Sequence, residues 1–108
     1  MSQAKIYDGA CSLGPAILVA DELSGDTPIE LRIMREGRLL FEGRTTFSQM
    51  RRSPRELVDF LFRETSFPNG PVLLTGTGIV PPDDVRLELG DEIIIYVPPI
   101  GTLANTVA

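Results

Sequence analysis

Ile29-Glu30-Leu31-Arg32-Ile33-Met34-Arg35, then Glu36-Gly37, then Arg38-Leu39-Leu40-Phe41-Glu42-Gly43-Arg44 is the stretch that decides the fold class. Its first run alternates apolar and polar side chains over most of its length. That is the period of a strand with one buried face. Two strand-like runs around a short glycine turn predict a β-hairpin.

Working outward, Ala16-Ile17-Leu18-Val19-Ala20 follows Gly14-Pro15. It is short and turn-bounded, and reads as a buried strand. Residues 21–28 form a polar turn region. Downstream, Ser53-Pro54-Arg55-Glu56 is a strong helix start. Ser53 can cap, Pro54 suits the first helical position, and Glu56 stands where a capping box places its carboxylate. Leu57, Leu61 and Glu64 follow at helical spacing, with Val58 and Phe62 beside them. Pro68 and Gly70 end the segment. Val72-Leu73-Leu74-Thr75 reads as a short buried strand, and Thr75-Gly76-Thr77-Gly78 as a loop. Leu89-Gly90-Asp91-Glu92 is a turn before the strand Ile93-Ile94-Ile95-Tyr96-Val97, and residues 100–107 read as a last strand. The sum, about six strands and one helix, is a strand-dominated α+β chain.

The 108 residues suit one small domain. The chain carries 15 acidic and 10 basic residues, a net charge of −5 with no basic cluster, so it is a poor nucleic-acid binder. Nine of the ten basic residues are arginine, and Lys5 is the only lysine. One cysteine, Cys11, gives no intramolecular disulfide and no zinc set. The absence of histidine removes any histidine-dependent triad or metal site from these residues. No apolar run reaches the length of a membrane span, and no signal peptide is visible, so a cytoplasmic location is expected.

Few residues announce chemistry unaided. Lys5 is either a solvated terminal lysine or a point charge for a carboxylate or enolate. The Thr-Gly-Thr-Gly loop is either a plain turn or an anion cradle of hydroxyls and N–H groups. It lacks the spacing of a phosphate-binding loop. Gly14-Pro15 and Gly101 read as backbone punctuation. Asp83-Asp84 and Asp91-Glu92 fall in turns, where solvated carboxylates are usual. No acidic cluster is spaced to hold a hard cation. Cys11, without a histidine partner, reads as a small buried residue.

The ordered set is more specific than any member. Lys5-Ile6-Tyr7-Asp8, Leu13-Gly14-Pro15, the hairpin, Thr45-Thr46, Met50 and the Ser-Pro-x-Glu-Leu helix occur in one order. Leu73-Leu74-Thr75-Gly76-Thr77, Leu89-Gly90-Asp91 and Ile100-Gly101-Thr102-Leu103-Ala104-Asn105 complete it. This set resembles the fumarylacetoacetate hydrolase superfamily over nearly the whole chain. Gly76-Thr77-Gly78-Ile79-Val80-Pro81-Pro82 replaces the commoner Gly-Thr-Pro and is similar to the branch of 2-keto-3-deoxy sugar acid dehydratases.

The resemblance implies part of a mixed β-sandwich roll, with residues 1–108 as the C-terminal part of a catalytic domain. It implies a divalent cation, Mg²⁺ or else Ca²⁺ or Mn²⁺, bound by Glu and Asp residues that precede the lysine motif. Those ligands are expected outside this chain. The cation would stabilise the enolate of a 2-oxo acid. The implied reaction is acylpyruvate C–C hydrolysis or sugar-acid dehydration. Lys5 would place positive charge beside the metal as a catalytic residue. Thr77 would hydrogen-bond the substrate carboxylate, and Gly76 would permit close approach. A homodimer or a complementing N-terminal half is the implied partner, and the chain alone is expected to be inactive. The rival reading is a non-catalytic structural or binding module that keeps the β core.

Overall fold

The computed structural model describes residues 6–108. Lys5 therefore lies outside the described residues. The hairpin forms as the alternation predicts, from β1 (Pro28–Arg35) and β2 (Arg38–Thr46). Glu36 and Gly37 both have positive φ, 50° and 76°, as a two-residue type I′ hairpin turn requires. The pairing runs Arg35↔Arg38 and Met34↔Leu39, then jumps to Ile33↔Phe41. Leu40 is the extra residue of a β-bulge. The shift puts Phe41, Gly43 and Thr45 on the same face as Ile33, Leu31 and Ile29.

A short 3₁₀ turn (Phe47–Gln49) follows β2. Its place is set by the loop before β1, because the Phe47 N–H donates to the Thr27 carbonyl at 2.9 Å and the Ser48 N–H to Gly25 at 2.8 Å. Next comes α1 (Pro54–Leu61), where the Ser53 hydroxyl accepts from the Glu56 N–H at 3.2 Å. Two more strands, β3 (Glu92–Val97) and β4 (Gly101–Thr106), complete one antiparallel sheet of order β2-β1-β3-β4. In this register Ile33 faces Ile93, and Leu31 faces Ile95, which faces Leu103. Ile33, 4% exposed, is the one fully buried apolar side chain among the described residues. The opposite face carries ion pairs on adjacent rungs, Glu30–Arg44 at 3.6 Å and Arg32–Glu42 at 3.2 Å.

The strand-dominated α+β class with one capped helix is as expected, but the described residues form four strands. Residues 16–20 and 72–75 are not strands. Ile17 and Val19 are over 90% exposed, and Val72 and Leu74 are also exposed. A β-strand needs a hydrogen-bonded neighbour, and no described strand pairs with either segment. Cys11 is exposed and not buried.

Asp91 is a further correction. Read as a solvated turn carboxylate, it is 1% exposed. Arg35, at the end of β1, donates from Nε to Oδ1 and from Nη2 to Oδ2, both at 2.8 Å. The Glu88 N–H donates to Oδ2 at 2.8 Å. Arg35 also donates to the Arg86 carbonyl and pairs with Glu88. The Arg35 hydrogen bonds, then the Glu88 N–H, lower the Asp91 pKa from 3.8 to about 2. This junction ties the end of β1 to the turn that launches β3.

Candidate functional site

Two loops lie across the apolar face of the sheet, and glycines receive both. Over β4, a Cβ at Gly101 would sit 3.3 Å from the Pro15 ring, and one at Gly14 would sit 3.5 Å from Leu103 Cδ1. The Ser12 hydroxyl donates to Asn105 Oδ1 at 3.0 Å. Gly14-Pro15 and Gly101 are thus more than punctuation. They are sites where one segment rests on another.

Over β2, Ile79 fills the space that a side chain at Gly43 would need. A Cβ there would overlap Ile79 Cγ2. One at Gly78 would lie 3.5 Å from the Thr45 hydroxyl. The Thr-Gly-Thr-Gly loop is therefore seated on the hairpin by a knob of Ile79 in a hole left by Gly43. The two loops occupy opposite edges of the sheet. With three strand spacings between β2 and β4, that is a separation of about 14 Å.

Within the seated loop, Thr77 is engaged with its own backbone. Its Oγ1 accepts from the Ile79 N–H at 3.1 Å and donates to the Ile79 carbonyl at 3.2 Å. Threonine turns of this kind hold the backbone without secondary structure. Gly76 lies beside open space, since a Cβ there would meet nothing within 4 Å.

Gly76 and Thr77 together line a cleft of about 480 Å³. Roughly 300–1,000 Å³ is usual for a small-molecule site. The cleft lies between this loop, Ile29 and Thr45 of the sheet, and the segment from Phe47 to Arg52 that leads into α1. Thus the structure brings Gly76 and Thr77 to one cleft, while Lys5 falls outside the described residues. Sequence reading singled out Thr45, Thr46 and Met50 only as family landmarks, and all three line the cleft. It passed over Gln49, Arg51 and Arg52, which line it too. The one signal available was the adjacent arginine pair just before the Ser53 cap. Among the described residues, no aspartate or glutamate lines the cleft. Among the described residues, no three Cys, Asp or Glu side chains stand close enough to hold a metal ion.

The family model described as fumarylacetoacetate (FAA) hydrolase C-terminal matches residues 1–108. The chain is 41% identical to the 2-dehydro-3-deoxy-D-arabinonate dehydratase of Saccharolobus solfataricus, over 99% of this chain and 37% of that protein. It is 37% identical to the probable 2-keto-3-deoxyxylonate dehydratase of Haloferax volcanii, over 99% of this chain and 38% of that protein. A solved 2-keto-3-deoxy-D-arabinonate dehydratase, complexed with magnesium and 2,5-dioxopentanoate, superposes with a TM-score of 0.91 at 42% identity. That match covers 97% of this chain and 38% of the other. The chain thus spans somewhat more than a third of the length of these relatives.

Proposed function

This chain belongs to the fumarylacetoacetate hydrolase family, and from that premise we propose that it forms the C-terminal part of a divalent-metal-dependent dehydratase acting on a 2-keto-3-deoxy sugar acid. The observation that carries this reading is the likeness to sugar-acid dehydratases over almost the whole chain, in sequence and in backbone. It favours dehydration over C–C hydrolysis within the family.

The described residues do not fit a cation site. The Mg²⁺ of the reading is accordingly assigned to carboxylates outside this chain, supplied by a preceding or complementing half. What this chain contributes is the wall that holds the substrate. Thr77 accepts from the Ile79 N–H and donates a hydrogen bond to the Ile79 carbonyl. An arriving carboxylate can accept that hydrogen bond in place of the carbonyl, by rotation of the hydroxyl alone. The N–H bond stays, so the side chain keeps its place. A neutral hydrogen bond is exchanged for a stronger, charge-assisted one. Open space beside Gly76 admits the ligand to the backbone. Lys5, in this reading, places a positive charge near the reacting 2-oxo group.

The test is a chimera. The part of the S. solfataricus dehydratase that precedes its matched region is joined to this chain. It is then assayed with Mg²⁺ for conversion of 2-keto-3-deoxy-D-arabinonate to 2,5-dioxopentanoate. Turnover is expected. Thr77→Val should lower kcat/KM by about 100-fold, the usual loss of one transition-state donor. Thr77→Ser should retain most of the activity, and Lys5→Ala should lose it. A folded chimera without turnover, or Lys5→Ala within about twofold of the parent, contradicts the respective assignment.

A further inference from the structure

We propose that Arg51 and Arg52 are the anion-recognising residues of the cleft, holding a substrate carboxylate opposite Thr77 and selecting acids over neutral polyols. The proposal rests on the reading above for its substrate class, and on the charge layout of the cleft for its residues.

The chain is acidic, with a net charge of −5, so its average field repels an anion. Four of its nine arginines are committed elsewhere. Arg32 pairs with Glu42, Arg44 with Glu30, and Arg35 with Asp91 and Glu88. Arg63 lies over the Phe60 ring, 4.4 Å from its centroid. Arg38, Arg55 and Arg86 also have no ion-pair partner among the described residues, but they lie off the cleft, and in this Arg51 and Arg52 differ. Among the described residues no carboxylate lies within ion-pair distance of either, and both line the cleft. The rest of the polar side-chain lining is hydroxyl and amide, from Thr45, Thr46, Thr75, Thr77 and Gln49.

Two adjacent arginines without a carboxylate partner, in a cleft that threonines also line and, among the described residues, no acid does, suit a carboxylate on a hydroxylated carbon chain. Guanidinium groups match a carboxylate in shape and can bind it through paired N–H bonds. The hydroxyls and Gln49 suit the ligand's own hydroxyl groups. Ile29, Phe47, Met50 and Leu57 give the cleft an apolar wall that suits the ligand's carbon chain, so the charge of the two arginines is what would set an acid apart from a neutral guest.

The position is also well held. Residues 47–48 are bonded to the turn at 25–27, and Ser53 caps α1 immediately after the pair. The arginines are therefore carried on backbone that is fixed on both sides. Long side chains on a fixed base lose less freedom on binding than the same side chains on a loose loop.

The first measurement titrates the ¹⁵N-labelled chain with D-arabinonate, and separately with the neutral D-arabinitol, at low ionic strength. Arabinonate should shift the amides of residues 49–52 and 75–78, and arabinitol should not. Arg51→Gln with Arg52→Gln should weaken arabinonate binding about tenfold or more, the usual effect of losing a charged hydrogen bond. Unchanged binding in the double variant, or equal binding of arabinitol, overturns the proposal. So does an absence of arabinonate binding.

The second measurement uses the chimera. There the double variant should raise KM about tenfold or more, with a smaller effect on kcat, and should flatten the dependence of kcat/KM on salt. Unchanged KM and salt slope overturn the proposal while leaving the dehydratase reading standing. A chimera without turnover, whose cleft still loses arabinonate affinity in the double variant, strikes the reaction and leaves the arginines.

Discussion

Gly43→Ala tests whether Ile79 seats the Thr-Gly-Thr-Gly loop. The φ of Gly43 is one that other residues adopt, so the cost of the new methyl group is one of packing. It would overlap Ile79 Cγ2 and come within 3.2 Å of two atoms of the Phe41 ring. Phe41 is held by the sheet and can yield only a little. Ile79 ends a loop and must withdraw. Overpacking of this kind costs about 1–3 kcal/mol. A chain of this size loses roughly 4–8 °C of melting temperature per kcal/mol, so Tm should fall by about 4–24 °C in a thermal circular-dichroism scan. The amides of Gly76, Thr77 and Gly78 should move in the ¹H–¹⁵N spectrum. Adding Ile79→Ala should recover part of the loss, giving a coupling of at least about 0.5 kcal/mol in a double-mutant cycle. Gly76→Ala serves as the contrast. Its methyl group would meet no atom, and its Tm should stay near that of the parent. If Gly43→Ala melts within about 2 °C of the parent and leaves the loop spectrum unmoved, the seating argument is wrong.

Other outcomes follow from single contacts. The Asp91 pKa is lowered from 3.8 to about 2, so its stabilisation is fully present above pH 3.8 and fades as the pH falls toward 2. Denaturant midpoints of the parent and Asp91→Asn should therefore differ at neutral pH and converge near pH 2, and a gap that persists there would contradict the pairing. Ser53→Ala removes the cap on α1, and a cost of about 1 kcal/mol should speed hydrogen exchange in that helix about fivefold. Unchanged exchange would show that the cap holds nothing. Calorimetric titration of the chain alone with Mg²⁺ should give no saturable heat, and a specific site would refute the assignment of its ligands to other residues.

The elements that were legible in the sequence share one property, that their signal is local. Alternation through Leu31 and Ile33, two residues of turn at Glu36-Gly37, and Ser53-Pro54 before a helical pattern each act over a few neighbours. The misread segments lack this. An apolar run such as Ile17 to Val19 records that side chains avoid water, but not which strand would pair with it. The same holds for Val72 to Leu74. Asp91 was misread because its partner, Arg35, lies 56 residues away, and a turn context describes only the nearest residues. In the cleft, Gly76 and Thr77 were found by resemblance. Arg51 and Arg52 were passed over because what sets them apart from the other unpaired arginines is their place on the cleft, which only the folded chain displays. The landmarks of the resemblance, by contrast, meet in space. Gly14-Pro15 rests on Gly101 and Leu103, and the Thr-Gly-Thr loop rests on the hairpin.

The ion pairs Glu30–Arg44 and Arg32–Glu42 have a consequence for how this sheet can grow. They occupy consecutive rungs of one face. A second layer laid there would have to strip four charges of water, a cost that their mutual attraction seldom recovers in full. The other face presents Leu31, Ile33 and Ile95, and bears the glycine hollows that already receive Pro15 and Ile79. The sheet thus has a front and a back. Enlargement by fusion, duplication or assembly is directed to the front, so the cleft beside Thr77 would come to lie between layers and not on an outer wall.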